Sequence, residues 1–90
     1  MPNPPVKQSW LNRVKETQHF HAEQLRENPD WRLQDTALLL QRSIGSISQD
    51  LLLASWLKTH EKEILRFRRM KDAIEFVRQK QHQMKFDVAS

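Results

Sequence analysis

The sequence predicts a small all-α domain of four to five helices, the last of them long. Three observations support this prediction. The 90 residues include one glycine, no tyrosine and few β-branched side chains, a composition that disfavours strands. Apolar residues recur at the three- and four-residue intervals of amphipathic helices. Serine, threonine and Asn-Pro signals separate these runs, as helix caps and stops do.

Ninety residues are enough for one domain with a modest hydrophobic core, which we assign to residues 9–86. Residues 1–8 are proline-rich and polar and predict a disordered N-terminal arm, and residues 87–90 form a tail. The chain contains no cysteine and no apolar run long enough to span a bilayer. We therefore expect a cytoplasmic protein without disulfides and without a membrane partner.

The first helix is predicted over about residues 10–27. Ser9 can cap its start, and Asn28-Pro29 stops it, because the residue before proline avoids the α region. Its apolar side comprises Trp10, Leu11, Val14, His21 and Leu25. Trp31 and Leu33 lead into a short second helix that ends near Gln41, and we expect both side chains to anchor that helix to the core.

The segment from Thr36 to Leu51 fits two helices joined by a tight turn. Ala37 is small where crossing helices approach closely, and Leu40 and Ile47 are apolar where both helices face one core. Ser43 can cap the following helix, which begins at about Ile44. That helix has a buried stripe at Ile47, Leu51 and Ala54 and a second face of Gly45, Ser48, Gln49 and Leu52.

The third helix is expected to end near Lys58, and Thr59 can cap the last helix, with Glu61 and Glu63 in its first turn. The last helix carries apolar residues at heptad spacing. The seam consists of Phe67, Met70, Ile74, Val77, Gln81 and Met84. It can pack on the first and third helices of the same chain or form a dimer interface through Phe67, Met70, Ile74, Val77 and Met84.

Residues 33–54 resemble the helix-turn-helix of bacterial repressors, and more closely that of ParB and KorB partition proteins. The resemblance rests on Ala37, Ser43, Ile47 and Ser48, on Arg42 before Ser43, and on the leucines at 51–53. Two positions depart from the family pattern. Gln41 stands where the turn usually has glycine, and would be strained at positive φ unless the turn is a variant that avoids it. Asp50 stands where an apolar residue is usual, which implies a partly solvated slot or a rotated helix.

The resemblance implies sequence-specific binding in the major groove of DNA. It implies that five residues face the bases: the cap residue of the third helix and four residues of the helix itself, namely Ser43, Ile44, Gly45, Ser48 and Gln49. Phosphate contacts are expected from Arg42, Ser46, Arg66, Arg68, Arg69 and Lys71. Among the base contacts, Gln49 suits adenine.

The positive charge of the chain is concentrated in its last third. The net charge is +4, from 15 basic and 11 acidic side chains. Residues 1–30 carry four of each sign, whereas residues 66–85 carry seven basic and two acidic side chains, a local charge of +5. Such a segment can supply phosphate contacts, and it is equally typical of a solvated helix face.

We therefore expect a nucleoid-associated homodimer that binds double-stranded DNA and acts as a transcriptional regulator or a replication or plasmid partition factor. The alternative is a helical protein-interaction adaptor that does not bind DNA. No enzyme activity, catalytic residue, metal site, cofactor or small-molecule substrate is predicted, because the histidines lack zinc spacing and one glycine cannot build a phosphate loop. RNA binding is a weaker alternative, since the chain offers no aromatic stacking platform.

Overall fold

The computed structural model describes the backbone of residues 9–89 and the side chains of residues 10–84. Within that range the chain folds into four helices, α1 (Ser9–Glu27), α2 (Leu33–Leu40), α3 (Ile44–Ile64) and α4 (Met70–Ala89). The prediction of an all-α domain is confirmed. Helix α4 continues three residues past the predicted domain boundary at 86, and the predicted arm over 1–8 lies outside the described residues. No helix of the described range combines the length and apolar character needed to cross a membrane.

Helix α1 packs on α3 through a stripe that is apolar at its start and polar further along. Trp10 and Val14 are buried, as predicted, and Thr17 continues their stripe with 2% of its surface exposed. The helix ends where Asn28 stops it, and the Asn28 Oδ1 atom accepts from the Asp30 N–H at 3.1 Å. Leu25, predicted for the apolar side, is 38% exposed.

Helix α2 is tied to α1 by a hydrogen-bonded cluster around a buried hydroxyl. Thr36 is fully buried, and its Oγ1 accepts from Trp31 Nε1 at 2.7 Å and lies 2.6 Å from His21 Nδ1. The Trp31 ring also packs edge-on against Phe20. Trp31 therefore anchors α2, as predicted, whereas Leu33 is 36% exposed and does not.

The predicted start of the last helix was wrong. The predicted break near residue 59 is present as a non-helical kink at His60, where φ is −127° and ψ is 32°, but the helical segment beyond the kink ends at Ile64. The connection between α3 and α4 lies further along, at Leu65–Arg69, and α4 begins at Met70. Trp10 Nε1 holds this connection to α1 by donating to the Arg68 carbonyl at 2.9 Å.

The hydrophobic core lies where α1, the second half of α3 and the first half of α4 meet. Its fully buried side chains include Val14, Leu53, Ile64 and Val77. Partly buried apolar residues close its edges: Leu11, Leu52, Trp56, Leu65, Phe67, Met70 and Phe76. This core fixes α3 as the central helix and leaves its first turns at the edge of the domain.

Candidate nucleic-acid interface

The turn between α2 and α3 has the hydrogen bonds of a Schellman motif. The Arg42 N–H donates to the Ala37 carbonyl at 2.9 Å, and the Gln41 N–H donates to the Leu38 carbonyl at 3.3 Å. Gln41 occupies the left-handed region with φ 55° and ψ 46°. The turn is therefore not a variant that avoids positive φ, and Gln41 takes a conformation that glycine adopts more readily.

Ser43 begins α3 as predicted. Its backbone is extended, and its Oγ accepts from the Ser46 N–H at 3.1 Å, which confirms the capping role. Ala37 and Ile47 are buried at 5% and 0% exposure, so α2 and α3 meet through the small and apolar residues that the spacing indicated. Residues 33–47 thus form two helices joined by a three-residue turn.

The five predicted base-contact residues lie together at the start of α3, and all of them are exposed: Ser43, Ile44, Gly45, Ser48 and Gln49. Ile44 has 51% of its surface accessible. A Cβ placed on Gly45 would meet no atom within 4 Å, so packing inside the molecule does not require glycine there. The serine- and glutamine-bearing face is therefore open to a ligand.

Arg42 and Ser46 do not fit the phosphate-contact role that the resemblance assigned to them. The Arg42 guanidinium points into the domain, where Nη1 lies 2.6 Å from Asp50 Oδ2 and donates to Thr17 Oγ1 at 3.0 Å. Its Nη2 donates to the Ser46 hydroxyl, and the Arg42 side chain is only 20% exposed. Both side chains are engaged in holding the turn, because the carboxylate beside them is buried.

Asp50 is the centre of this network and is fully buried. Besides Arg42 it accepts from Thr17 Oγ1 at 2.9 Å, and Arg13 Nη2 lies 3.5 Å from Oδ1. Arg13 also reaches the Met70 sulfur, so the network joins α1, the turn, α3 and the start of α4. The Asp50 slot is neither solvated nor rotated outwards, since two guanidinium groups and a hydroxyl satisfy its carboxylate.

Sequence reasoning missed this network, although one signal pointed to it. Asp50 follows Ile47 by three residues and precedes Ala54 by four, which places an acidic residue on the buried stripe of α3. A carboxylate at such a position requires cationic partners. Thr17 and Arg13 are 33 and 37 residues away in sequence, so only the tertiary structure reveals them.

The predicted basic residues other than Arg42 are exposed, and the structure places one of them, Lys71, beside the α3 face. Gln49 lines a groove of about 390 Å³ with Met70, Lys71, Ile74, Glu75 and Arg78 of α4. Lys71 and Arg78 make this groove basic on balance, although Glu75 contributes one negative charge. Arg66, Arg68 and Arg69 lie on the connection just before α4 and are also exposed. Arg78 was not among the predicted contacts.

The predicted dimer interface is mostly internal. Ile74 and Val77 are 5% and 0% exposed, and both belong to the core of their own chain. Phe67 and Met70 are half-buried against the same core, and the Phe67 ring lies 5.6 Å from that of Phe76. Ile74 and Val77 cannot form the centre of an interface with a second copy without opening the domain. Only Met84 of the five, at 57% exposure, remains at the surface.

Next to the start of α3, the exposed surface of α2 is apolar. Leu38 and Leu39 are 78% and 60% exposed, beside the turn that leads to the exposed Ile44. Helix α2 has no basic residue, and Arg42 of the following turn points inwards. A ligand at this surface would contact leucine side chains rather than basic ones.

Among the described residues, no group of three or more histidine, cysteine, aspartate or glutamate side chains is placed to hold a metal ion.

The chain was compared with protein-family models, with curated proteins and with solved structures, and none of the three comparisons found a match.

Proposed function

We propose that this protein binds duplex DNA through the first turns of α3, as a transcriptional regulator or a replication or partition factor. One observation supports the proposal above the others. The exposed amide of Gln49 shares a groove with Lys71 and Arg78, so a hydrogen-bonding side chain and cations that suit phosphate lie at one site. Base readout and phosphate contact are the two components of specific DNA binding.

Each component has a residue suited to it. The Gln49 carboxamide can donate to and accept from the adenine edge in the major groove, and Ser48 can contact a base on either strand. Gly45 lets the start of α3 approach closely, because it has no side chain on the open face. Lys71 and the arginines of the connection, Arg66, Arg68 and Arg69, are the proposed phosphate contacts.

The buried network gives these contacts a fixed frame. Asp50 holds Arg42 of the turn and Thr17 of α1, so the orientation of the first α3 turns relative to α1 is set by directional hydrogen bonds. A reading helix gains affinity when it is held in its bound orientation before it meets its ligand. Arg42 therefore contributes to the proposed interface by positioning it rather than by touching phosphate.

The proposal is tested by selecting bound sequences from a random duplex pool and comparing variants on the selected site. We expect Gln49→Ala to relax base preference, with a loss of about tenfold on the selected site and little change on random duplexes. Gln34→Ala, the same change at an exposed position of α2, should have no effect. Two-fold-related half sites in the selected pool would indicate that two copies bind, through a surface other than the Ile74 and Val77 seam.

A second pair of variants tests the phosphate component. Lys71→Ala and Arg69→Ala should each weaken all duplexes alike and reduce the dependence of log K on log salt by about one unit. Lys15→Ala, which removes one charge from α1, should leave that slope unchanged. If the Gln49 and Lys71 variants bound every duplex as the parent does, the proposal would be wrong.

Gly45→Ala separates binding from folding. Alanine favours a helix over glycine by about 1 kcal/mol, and the added Cβ meets open space, so the variant should be more stable to urea. If DNA approaches this residue, the same variant binds the selected site more weakly. A more stable protein with unchanged affinity would remove Gly45 from the interface.

The exposed leucines of α2 favour a second candidate function, a protein-interaction adaptor. Leu38 and Leu39 present apolar surface beside the reading face, and no free cation accompanies them on α2 within the described structure. A mobility shift with random duplex DNA at two salt concentrations separates the candidates. An adaptor gives no shift, or only binding without sequence preference that added salt abolishes.

A further inference from the structure

The second half of α4 extends past the core. Among the α4 side chains that the structure describes, the buried ones, Ala73, Ile74 and Val77, all lie in the first eight positions of the helix. From Arg78 to Met84 the described side chains are exposed, except for Lys80, which is half-buried with its ammonium 5.8 Å from the centre of the Phe76 ring. Gln81 and Met84 continue the stripe of Ile74 and Val77 beyond the point where other described residues cover it.

A groove lies between this part of α4 and the middle of α3. Its volume is about 570 Å³, and it is lined by Trp56, Arg78, Gln81, His82 and Met84. The Trp56 ring packs against His60, with 4.6 Å between the ring centres and 37° between their planes, which holds the indole in place. Met84 supplies a flexible apolar wall that is 57% exposed. A rigid aromatic and an adaptable methionine are typical of a groove that receives an apolar helix face.

The charge around the groove indicates what would occupy it. From residue 76 to residue 84 the sequence has two basic side chains, Arg78 and Lys80, and no acidic one, and Arg78 lines the groove. A second copy of α4 would bring the same positive charges to the contact, and like charges across an interface are unfavourable. A partner with carboxylates beside its apolar anchors would be attracted instead.

We propose that this groove binds an acidic amphipathic helix of a partner protein. An apolar side chain of the partner packs on Trp56 and Met84, and its flanking carboxylates face Arg78 and Lys80. The proposal does not rest on DNA binding: Arg78 lines both grooves, but Trp56, Gln81 and Met84 line only this one. A nucleic acid fits less well, since the Met84 wall, at 57% exposure, offers a base neither an aromatic ring nor a strong hydrogen-bond partner.

The experiment uses the ¹⁵N-labelled full chain and three synthetic helical peptides. The first peptide has leucine and phenylalanine at helical spacing with glutamate elsewhere; the second has lysine in place of glutamate; the third is a scrambled form of the first. We expect the acidic amphipathic peptide to shift the Trp56 indole resonance and the amides of residues 78–84 saturably. The basic and scrambled peptides should leave these resonances in place.

Two variants and a matched control identify the groove. Gln81→Glu should weaken the acidic peptide about fivefold through like-charge repulsion, and Met84→Gln about tenfold through loss of the apolar contact. Gln34→Glu makes the same chemical change on α2 and should bind as the parent does. All three positions are exposed, so the variants keep the fold.

Four results would overturn the proposal. The first is equal resonance shifts from the acidic and basic peptides, and the second is no shift of the Trp56 indole resonance with the acidic peptide. The third is a shift of the same resonances by a 20-base-pair duplex, about two helical turns long. The fourth is a dimer of the parent protein in sedimentation that the Met84→Gln substitution dissociates. The third would assign the groove to nucleic acid and the fourth to a second copy. Neither outcome depends on Gln49 or Lys71, so DNA binding through α3 is judged separately.

Discussion

The two halves of α3 are held to the rest of the molecule by different kinds of contact. Near its start, Asp50 joins α1 and the turn through charge-assisted hydrogen bonds, and the neighbouring helix α2 is fixed by the Thr36 cluster. From its middle onwards, Leu53 and Ile64 are fully buried among apolar side chains of α1 and α4. Apolar packing stabilises without strict direction, whereas hydrogen bonds to a buried group specify an orientation.

The difference matters for the proposed function. The orientation-specifying contacts lie under the exposed face of Ser48 and Gln49, and the apolar contacts lie under the part of α3 for which no reading role is proposed. A buried ion pair is weak evidence for stability in itself, because desolvation offsets much of the attraction. We interpret the Asp50 network as positioning the start of α3, and the apolar half as supplying most of the stability.

The largest expected effect comes from removing the buried carboxylate. Asp50→Ala leaves the Arg42 guanidinium without its main partner and should lower the free energy of unfolding by about 3 kcal/mol, the low end for a broken buried pair because Arg42 keeps some exposure. Urea denaturation followed by circular dichroism measures it. In the apolar half, Ile64→Val should cost only about 1 kcal/mol.

Two controls sharpen this result. Asp30→Ala removes an exposed aspartate and should change stability by less than about 0.5 kcal/mol. The double variant Asp50→Leu/Arg42→Leu should have a higher free energy of unfolding than Asp50→Leu alone, because it also removes the guanidinium that has lost its partner. An Asp50→Ala protein with the stability of the parent would show that the network does not distinguish the two halves.

A smaller effect is expected at the second polar contact. Thr36→Val leaves Trp31 Nε1 and His21 Nδ1 without their shared hydroxyl and should lower stability by about 1 to 2 kcal/mol. Faster hydrogen exchange of the Trp31 indole N–H would locate the change. Thr36→Ser keeps the hydroxyl and should retain the slow exchange; equal exchange in both variants would contradict the hydrogen-bonding role.

The smallest effect lies at the turn itself. Gln41→Gly should raise the free energy of unfolding by about 0.5 to 1 kcal/mol, because glycine adopts the observed φ of 55° without a steric penalty. The same change at Gln34, inside α2, should instead cost about 1 kcal/mol. A destabilised Gln41→Gly protein would mean that the glutamine side chain contributes a contact that outweighs its backbone strain.

Local features of the sequence were sufficient to predict the helices and much of the surface of the candidate site. The Ser43 cap, the small Ala37 and the buried Ile47 follow from interactions within a few residues, which periodicity and capping rules describe well. The exposure of Ser48 and Gln49 follows from the same spacing. The break near residue 59 agrees with the kink at His60, but the segment after it was wrongly assigned to the last helix, which begins only at Met70.

The tertiary structure decided which residues pack against the apolar face of each helix and which residues pair with its buried charges. The heptad seam of the last helix is equally suited to its own core and to a second copy, and the fold buried Ile74 and Val77 inside the chain. Asp50 gained Thr17 and Arg13 from a helix more than thirty residues away, which redirected Arg42 from the predicted phosphate contact. Sequence by itself determined most of the helices and most of their apolar sides, because these depend on neighbours along the chain. How buried charges are satisfied depends on residues that meet only after folding, so that part required the structure.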